Sequence, residues 1–382
     1  MPQLLILFLI AFLVGADEFL LGPILTPIGH DLGVAPERVT LFITFYNIPL
    51  ALLAPALGML SDRWGHDRVL LPAIGFFALA SVATGLAQSF ETALLARLLT
   101  GVAAAGMLPV AFALAADLDT ERSGRGIAFV QAGLTLGIIM SPGIGAVFAE
   151  LLSWRAAFLG LGIAACLVAG SASFSFGRSR PLRSGTLPPS SPLVPGAAGA
   201  LAAMALALGT PIGIFALVGE RLRALFDLQT GLVGSVYVAF GLATVLGNLA
   251  MPWVAARIRN ARRLIVTAFG LVLLAMATVF ALKPGPIVAA AALVVWAVFG
   301  GLAAPVLQNF IANLSSAHRG VLMALGASAL NIGVAASSAI AGYAFSLGSV
   351  WVAAFGILFM LVGILTLQSV RAGKQEPVAD RI

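Results

Sequence analysis

Residues 58–68 read GMLSDRWGHDR. Asp62, Arg63, Asp67 and Arg68 crowd into this stretch, while the runs on either side, about 38–60 and 69–88, are almost free of charge. A helix needs roughly 20 apolar residues to cross a bilayer, so each run is long enough to span one. The charged stretch is then a turn joining two spans at a membrane surface. Working outward with charges, prolines and glycines as punctuation, the chain divides into twelve such segments. They fall at about 4–28, 38–60, 69–88, 91–116, 124–150, 155–176, 197–220, 228–256, 262–282, 286–313, 320–346 and 349–370.

Composition agrees. Of 382 residues 60% are hydrophobic and only 9% charged, with a mean hydropathy of +1.07; a soluble domain carries about 25% charged residues. The class is an all-α, polytopic membrane protein. No basic stretch precedes the first apolar run, which is also too long for a secretory signal, so a retained transmembrane helix is expected there. Cys166 is the single cysteine, which rules out an intramolecular disulfide framework. His30, His66 and His318 are scattered, and no Gly-rich phosphate loop is present, so neither a metal cluster nor an enzyme signature is read. The only coupling agent expected is the proton.

The segment 177–196, GRSRPLRSGTLPPSSPLVPG, falls midway and reads as a linker between two six-helix halves, 1–176 and 197–382. With the N-terminus cytoplasmic, fifteen Lys and Arg residues fall on the inner side, among them Arg63, Arg68, Arg125, Arg257 and Arg319. Five fall outside: Arg38, Arg155, Arg221, Arg223 and Lys283. That asymmetry satisfies the positive-inside rule with both termini cytoplasmic, and it explains a pI near 10.4 without nucleic acid. A duplicated bundle places its ligand near the midplane, between halves that rock against each other.

Several motifs now carry a resemblance. Gly58, Asp62, Arg63 and Gly65 match the loop 2–3 motif of the major facilitator superfamily; His66 and Asp67 stand where that motif has a basic pair, and Arg68 comes one place late. Gly58 is expected to let helices approach, and Asp62 to meet a helix N-terminus. The stretch is thus expected to act as an inner latch, which Asp117 joins. Arg97 followed by Gly101 is similar to the family's helix 4 motif. Gly137, Pro142, Gly143 and Gly145 resemble the helix 5 motif of its antiporter branch, with Ser141 in place of a glycine. The glycines permit close packing and Pro142 kinks the helix, so Gly137, Pro142 and Gly145 are expected to gate.

Residues 14–23, VGADEFLLGP, resemble helix 1 of the drug and sugar efflux branch, in which an acid precedes a phenylalanine. Asp17 and Glu18 are the only acids in the membrane core, and Arg97 is the one cation there. A charge in a spanning helix must face the bundle interior and find a partner. Adjacent helical residues point about 100° apart. Glu18 shares a face with Ala11, Gly15 and Gly22, so it is expected in the tighter contact and within reach of Arg97, while Asp17 opens toward the cavity. Asp17, Glu18 and Arg97 together are expected to handle the coupling proton.

The remaining intramembrane polar residues are neutral: Tyr46, Asn47, Gln131, Tyr237, Asn248, Gln308, Asn309, Asn313, Asn331 and Tyr343. Each alone serves most often to bind helix to helix. Together with Phe45, Phe215, Phe240, Trp296 and Phe310 they form the candidate lining of an amphipathic cavity. The resemblance implies a monomeric, proton-coupled exporter of a small amphipathic or apolar compound (drug-like molecule, sugar or metabolite) in a bacterial inner membrane. A proton-coupled importer or an uncoupled facilitator shares the fold; a receptor or scaffold would not need charges in the bilayer core.

Overall fold

A computed structural model describes residues 2–117, 123–176, 194–258, 260–315 and 318–369. Twelve helices long and apolar enough to cross a membrane account for nearly all of them. They are α1 (Gln3–Asp31), α2 (Pro36–Trp64), α3 (His66–Leu86), α4 (Phe90–Asp117), α5 (Gly124–Leu151), α6 (Trp154–Ser175), α7 (Ala197–Phe215), α8 (Thr230–Arg257), α9 (Ala261–Ala281), α10 (Pro286–Ala312), α11 (Arg319–Leu347) and α12 (Ser349–Gln368). Most of the expected linker, residues 177–193, lies outside the described residues. The segment expected as one helix over 197–220 divides: α7 stops at Phe215, and a separate short helix, Val218–Phe226, follows.

The packing repeats. In the first half α1 lies on α5, α2 on α4 and α3 on α6; in the second, α7 lies on α11, α8 on α10 and α9 on α12. The closest crossings use glycine at matching places. A Cβ on Gly101 of α4 would sit 2.1 Å from the Tyr46 carbonyl oxygen of α2, and one on Gly301 of α10 would sit 2.1 Å from that of Thr244 in α8. Gly137 of α5 and Gly333 of α11 approach the backbones of Phe12 and Ala205 in the same way. Small residues are what let backbones come so close in a membrane. Large apolar side chains such as Leu79, Leu246 and Leu274 point outward, as a lipid-facing surface requires.

We call the side bearing the Ser61–Arg68 turn the motif face and the other the distal face. The halves meet through α2 against α11 and α5 against α8. The contacts concentrate on the distal side. Thr44 Oγ1 lies 2.9 Å from both Ser338 Oγ and the Ala335 carbonyl, and Gly234 of α8 packs on Ala146 and Pro142.

Candidate functional site: a buried ion pair beside a central cavity

Helix α1 is regular through Phe19 and then tightens into a 3₁₀ turn at Gly22–Ile24. Asp17 thus stands about halfway along the span, inside the first bundle. Arg97 Nη1 donates to both of its oxygens, at 2.7 and 2.8 Å, and neither side chain is exposed at all. The guanidinium lies over the Tyr46 ring at 4.8 Å and the Phe158 ring at 5.5 Å, contacts that favour a cation. Four helices, α1, α2, α4 and α6, therefore meet on one charge pair. Arg97 Nε and Nη2, Tyr46 Oη and Asn47 Oδ1 have no hydrogen-bond partner among the described residues. Each such atom costs roughly 1–3 kcal/mol when buried.

This corrects the assignment expected for the doublet. Asp17, not Glu18, is the partner of Arg97. The tight face of α1 is real, but it meets α5: Gly15 packs on the Leu134 carbonyl, and Gly137 on Phe12 and Ala16. Arg97 comes from α4, on another side. Glu18 is half-buried and lines a small void of about 20 Å³ together with Phe19, Gly22, Ile43, Phe215 and Tyr237.

A larger cavity of about 240 Å³ lies between the halves. Its rings are Phe19 from α1, Phe215 from α7, Tyr237 and Phe240 from α8, Phe269 from α9 and Trp296 from α10. Phe215 is the hub: its centroid lies 4.0 Å from Phe240, 4.6 Å from Tyr237 and 6.0 Å from Trp296. Neutral polar groups come from Gln131 and Thr135 of α5 and from Thr244 and Asn248 of α8. Among the described residues no Asp, Glu, Lys, Arg or His lines it. Phe19, Ile212, Phe215 and Tyr237 are shared with the Glu18 void, so one aromatic wall stands between the carboxylate and the cavity.

Of the expected lining, Gln131, Phe215, Tyr237, Phe240, Asn248 and Trp296 are brought together. The Tyr237 hydroxyl is already engaged: it donates toward the Phe215 and Ala216 carbonyls (2.9 and 2.8 Å) and accepts from Gly219 N–H at 3.1 Å. It thereby caps the break after α7. The other expected residues stand elsewhere. Tyr46 belongs to the Arg97 cluster, and Asn47 donates to the Ile43 carbonyl one turn back. Phe45 is half-buried outside the cavity wall, and Asn331 bonds the Ala327 carbonyl of its own helix. Gln308, Asn309 and Phe310 lie at the motif end of α10 beyond the cavity, where Asn313 accepts from Arg319. Tyr343 is 71% exposed on the outer surface, because α11 turns Ser338 and Gly342 toward α2 instead. Thr135 and Thr244 were not singled out in the sequence; their one-turn spacing from Gln131 and Asn248 is the signal that marks them.

The motif-face turn differs in detail from the expected latch. Gly58 is not a close approach, since its nearest neighbour, Pro109 Cβ, is 4.0 Å from where a Cβ would stand. Asp62, Arg63 and Arg68 are exposed. Asp117 meets His66, at 3.3 Å between Oδ2 and Nε2, while His66 Nδ1 lies 3.2 Å from Ser61 Oγ. The residue standing in the basic position of the motif is thus the one that ties α4 to the turn. Gly65, at φ +102°, supplies the backbone that only glycine adopts readily. In the helix 5 motif, Pro142 lines the cavity, and Gly137 and Gly145 press on Phe12 and Leu20 of α1.

The distal face carries a clasp absent from the sequence reading. Glu220, nearly buried, accepts from Thr26 Oγ1 at 2.8 Å and from Arg223 Nη1 at 2.6 Å. Arg223 Nη2 reaches the Pro23 carbonyl at 2.6 Å, and Glu150 accepts from Gly231 N–H. Burial pushes the Glu220 carboxyl above its ordinary value, against the opposing pull of Arg223 and Thr26.

Two six-helix bundles around a central cavity define a membrane transporter architecture. The chain belongs to the Major Facilitator Superfamily, whose sequence model matches residues 7–219; it is a multi-pass transporter of that family and not an enzyme. A triacylglyceride transporter of Mycolicibacterium hassiacum is 36% identical over 155 residues, or 39% of this chain and 29% of that protein. The matched stretch therefore covers less than a third of that relative. The uncharacterised MFS-type transporter YbcL of Bacillus subtilis is 23% identical over 381 residues, covering 96% of this chain and 95% of the other. Among solved structures, the human organic anion transporter MFSD10 (TETRAN) superposes with a TM-score of 0.72 at 18% identity, covering 96% and 99% of the two chains. A bacterial homolog of the human lysosomal transporter Spinster, inward-facing and unoccupied, gives 0.76 at 15% identity, covering 96% and 93%. At these identities the two structures show the fold.

Proposed function

We propose that the protein exports a small amphipathic or apolar compound by alternating access, in exchange for protons. The observation that carries this reading is the division of labour within the doublet. Asp17 is held by Arg97 and serves as a fixed charge pair, whereas Glu18 is left without that partner in a void one aromatic wall away from the central cavity. A carboxylate so placed is the group that takes up and releases the proton. The apolar cavity with neutral polar groups suits an uncharged amphipathic cargo, and the helix 5 glycines and Pro142 supply the tight, kinked gate.

In this scheme the motif face is cytoplasmic, the membrane is a bacterial inner membrane, and the distal clasp closes the outside while the cavity is loaded from within. The protein works as a monomer, with no cofactor besides the proton. The test is a panel of amphipathic compounds added to everted membrane vesicles that hold a pH gradient. At least one compound is expected to collapse the gradient only where the protein is present. Compound transport without any proton movement would favour the uncoupled facilitator instead, and proton flow in the same direction as the compound would favour the importer.

A further inference from the structure

The polar groups of the cavity form two matched rungs. On α5, Gln131 and Thr135 are one turn apart; on α8, Thr244 and Asn248 are one turn apart. The two helices cross the membrane in opposite directions and pack together between residues 139–146 and 234–241. Both amides therefore lie nearer the motif face, and both hydroxyls lie a turn deeper. Beyond the hydroxyls comes the ring cluster of Phe215, Phe240 and Trp296. Thr244 donates to the Phe240 carbonyl at 2.9 Å, which leaves its oxygen as an acceptor. Gln131 and Asn248 are exposed, and each offers an N–H donor and a carbonyl acceptor.

The geometry points to a ligand class: an uncharged, planar aromatic compound bearing one amide or hydroxyl end. Its rings enter the floor of Phe215, Phe240 and Trp296, while its polar end is shared between Gln131 of one half and Asn248 of the other. Charge is disfavoured because the wall offers no counter-ion and burial of an unpaired charge is costly. Glu18 does not supply one, since Phe19, Phe215 and Tyr237 stand between it and the cavity. A ligand held by both halves at once also reports to each the presence of the other.

This inference rests on the cavity being the substrate site proposed above. Its test is equilibrium binding to the purified full-length chain without a pH gradient, so a failure of proton coupling does not affect the result. Four probes share one ring system: 2-naphthamide, 2-naphthoate, (2-naphthyl)trimethylammonium and naphthalene. The amide is expected to bind about tenfold or more tightly than either ion, and Gln131→Leu and Asn248→Leu each to weaken it by about tenfold, the loss of roughly one hydrogen bond. Naphthalene binding is expected to survive both substitutions. Equal or tighter binding of an ion, absence of amide binding, or indifference of the amide to both substitutions would overturn the assignment. The comparison among probes on the wild type keeps the test valid if a variant fails to fold.

Discussion

Arg97 Nη1 grips both carboxylate oxygens of Asp17, at 2.7 and 2.8 Å, where solvent reaches neither residue. Removing one partner from a buried pair leaves the other charge uncompensated, at a cost of about 3–5 kcal/mol. Arg97→Gln is therefore expected to lower the unfolding temperature sharply, and Asp17→Asn combined with it to recover part of the loss. Thermal unfolding of the two single variants and the double variant checks this. Additive losses would mean that the contact is energetically silent.

Two glycines that look alike in the sequence differ in space. A Cβ at Gly101 would fall 2.1 Å from the Tyr46 carbonyl oxygen, whereas one at Gly58 meets nothing nearer than 4.0 Å. Overpacking a tight crossing costs about 1–3 kcal/mol or more. Gly101→Ala is expected to lower the yield of monodisperse protein and its melting temperature, and Gly58→Ala to leave both nearly unchanged. Size-exclusion profiles and melting curves compare the pair.

The clasp gives closure a pH dependence of defined sign. Burial raises Glu220 above 4.5 in the closed distal face, whereas an open, hydrated face returns it to the ordinary value. The closed state then binds the proton more tightly, so closure strengthens as pH falls from the raised value toward 4.5, and this gain is absent at higher pH. Spin labels at Leu32 and Asp227, across the distal face, are expected to show a growing short-distance population on acidification. Glu220→Gln should flatten that response.

Phe215 belongs to both the central cavity and the Glu18 void, and it packs 4.0 Å from Phe240. Truncating it opens a path between the two spaces. Phe215→Ala is expected to admit protons without any compound present, read as a faster decay of an imposed pH gradient in vesicles. Adding Glu18→Gln should abolish that leak.

The twelve spans were legible because apolar length is a direct demand of the bilayer, and the Arg97 pair because only two acids and one cation occupy the core. Which acid would pair was not legible. The 100° step separates Asp17 from Glu18, but only the packing shows that the small-residue face of α1 meets α5 while Arg97 approaches from α4. Nine of the fifteen residues expected to line the cavity stand elsewhere, several for a related reason. Asn47, Asn331 and Asn313 look available in the sequence, yet each is engaged locally or at a helix end, Asn47 through its amide N–H alone. Thr135 and Thr244, common hydroxyls in any membrane helix, gain meaning only from the amides one turn away. The Glu220 clasp joins residues nearly two hundred positions apart, which no local pattern announces.

The most direct test of the account is proton release from everted vesicles on addition of a transported compound, compared between the wild type and Glu18→Gln. Release is expected from the wild type and none from Glu18→Gln, with the variant present in the membrane at the same level. Undiminished, compound-dependent proton release by Glu18→Gln would contradict it.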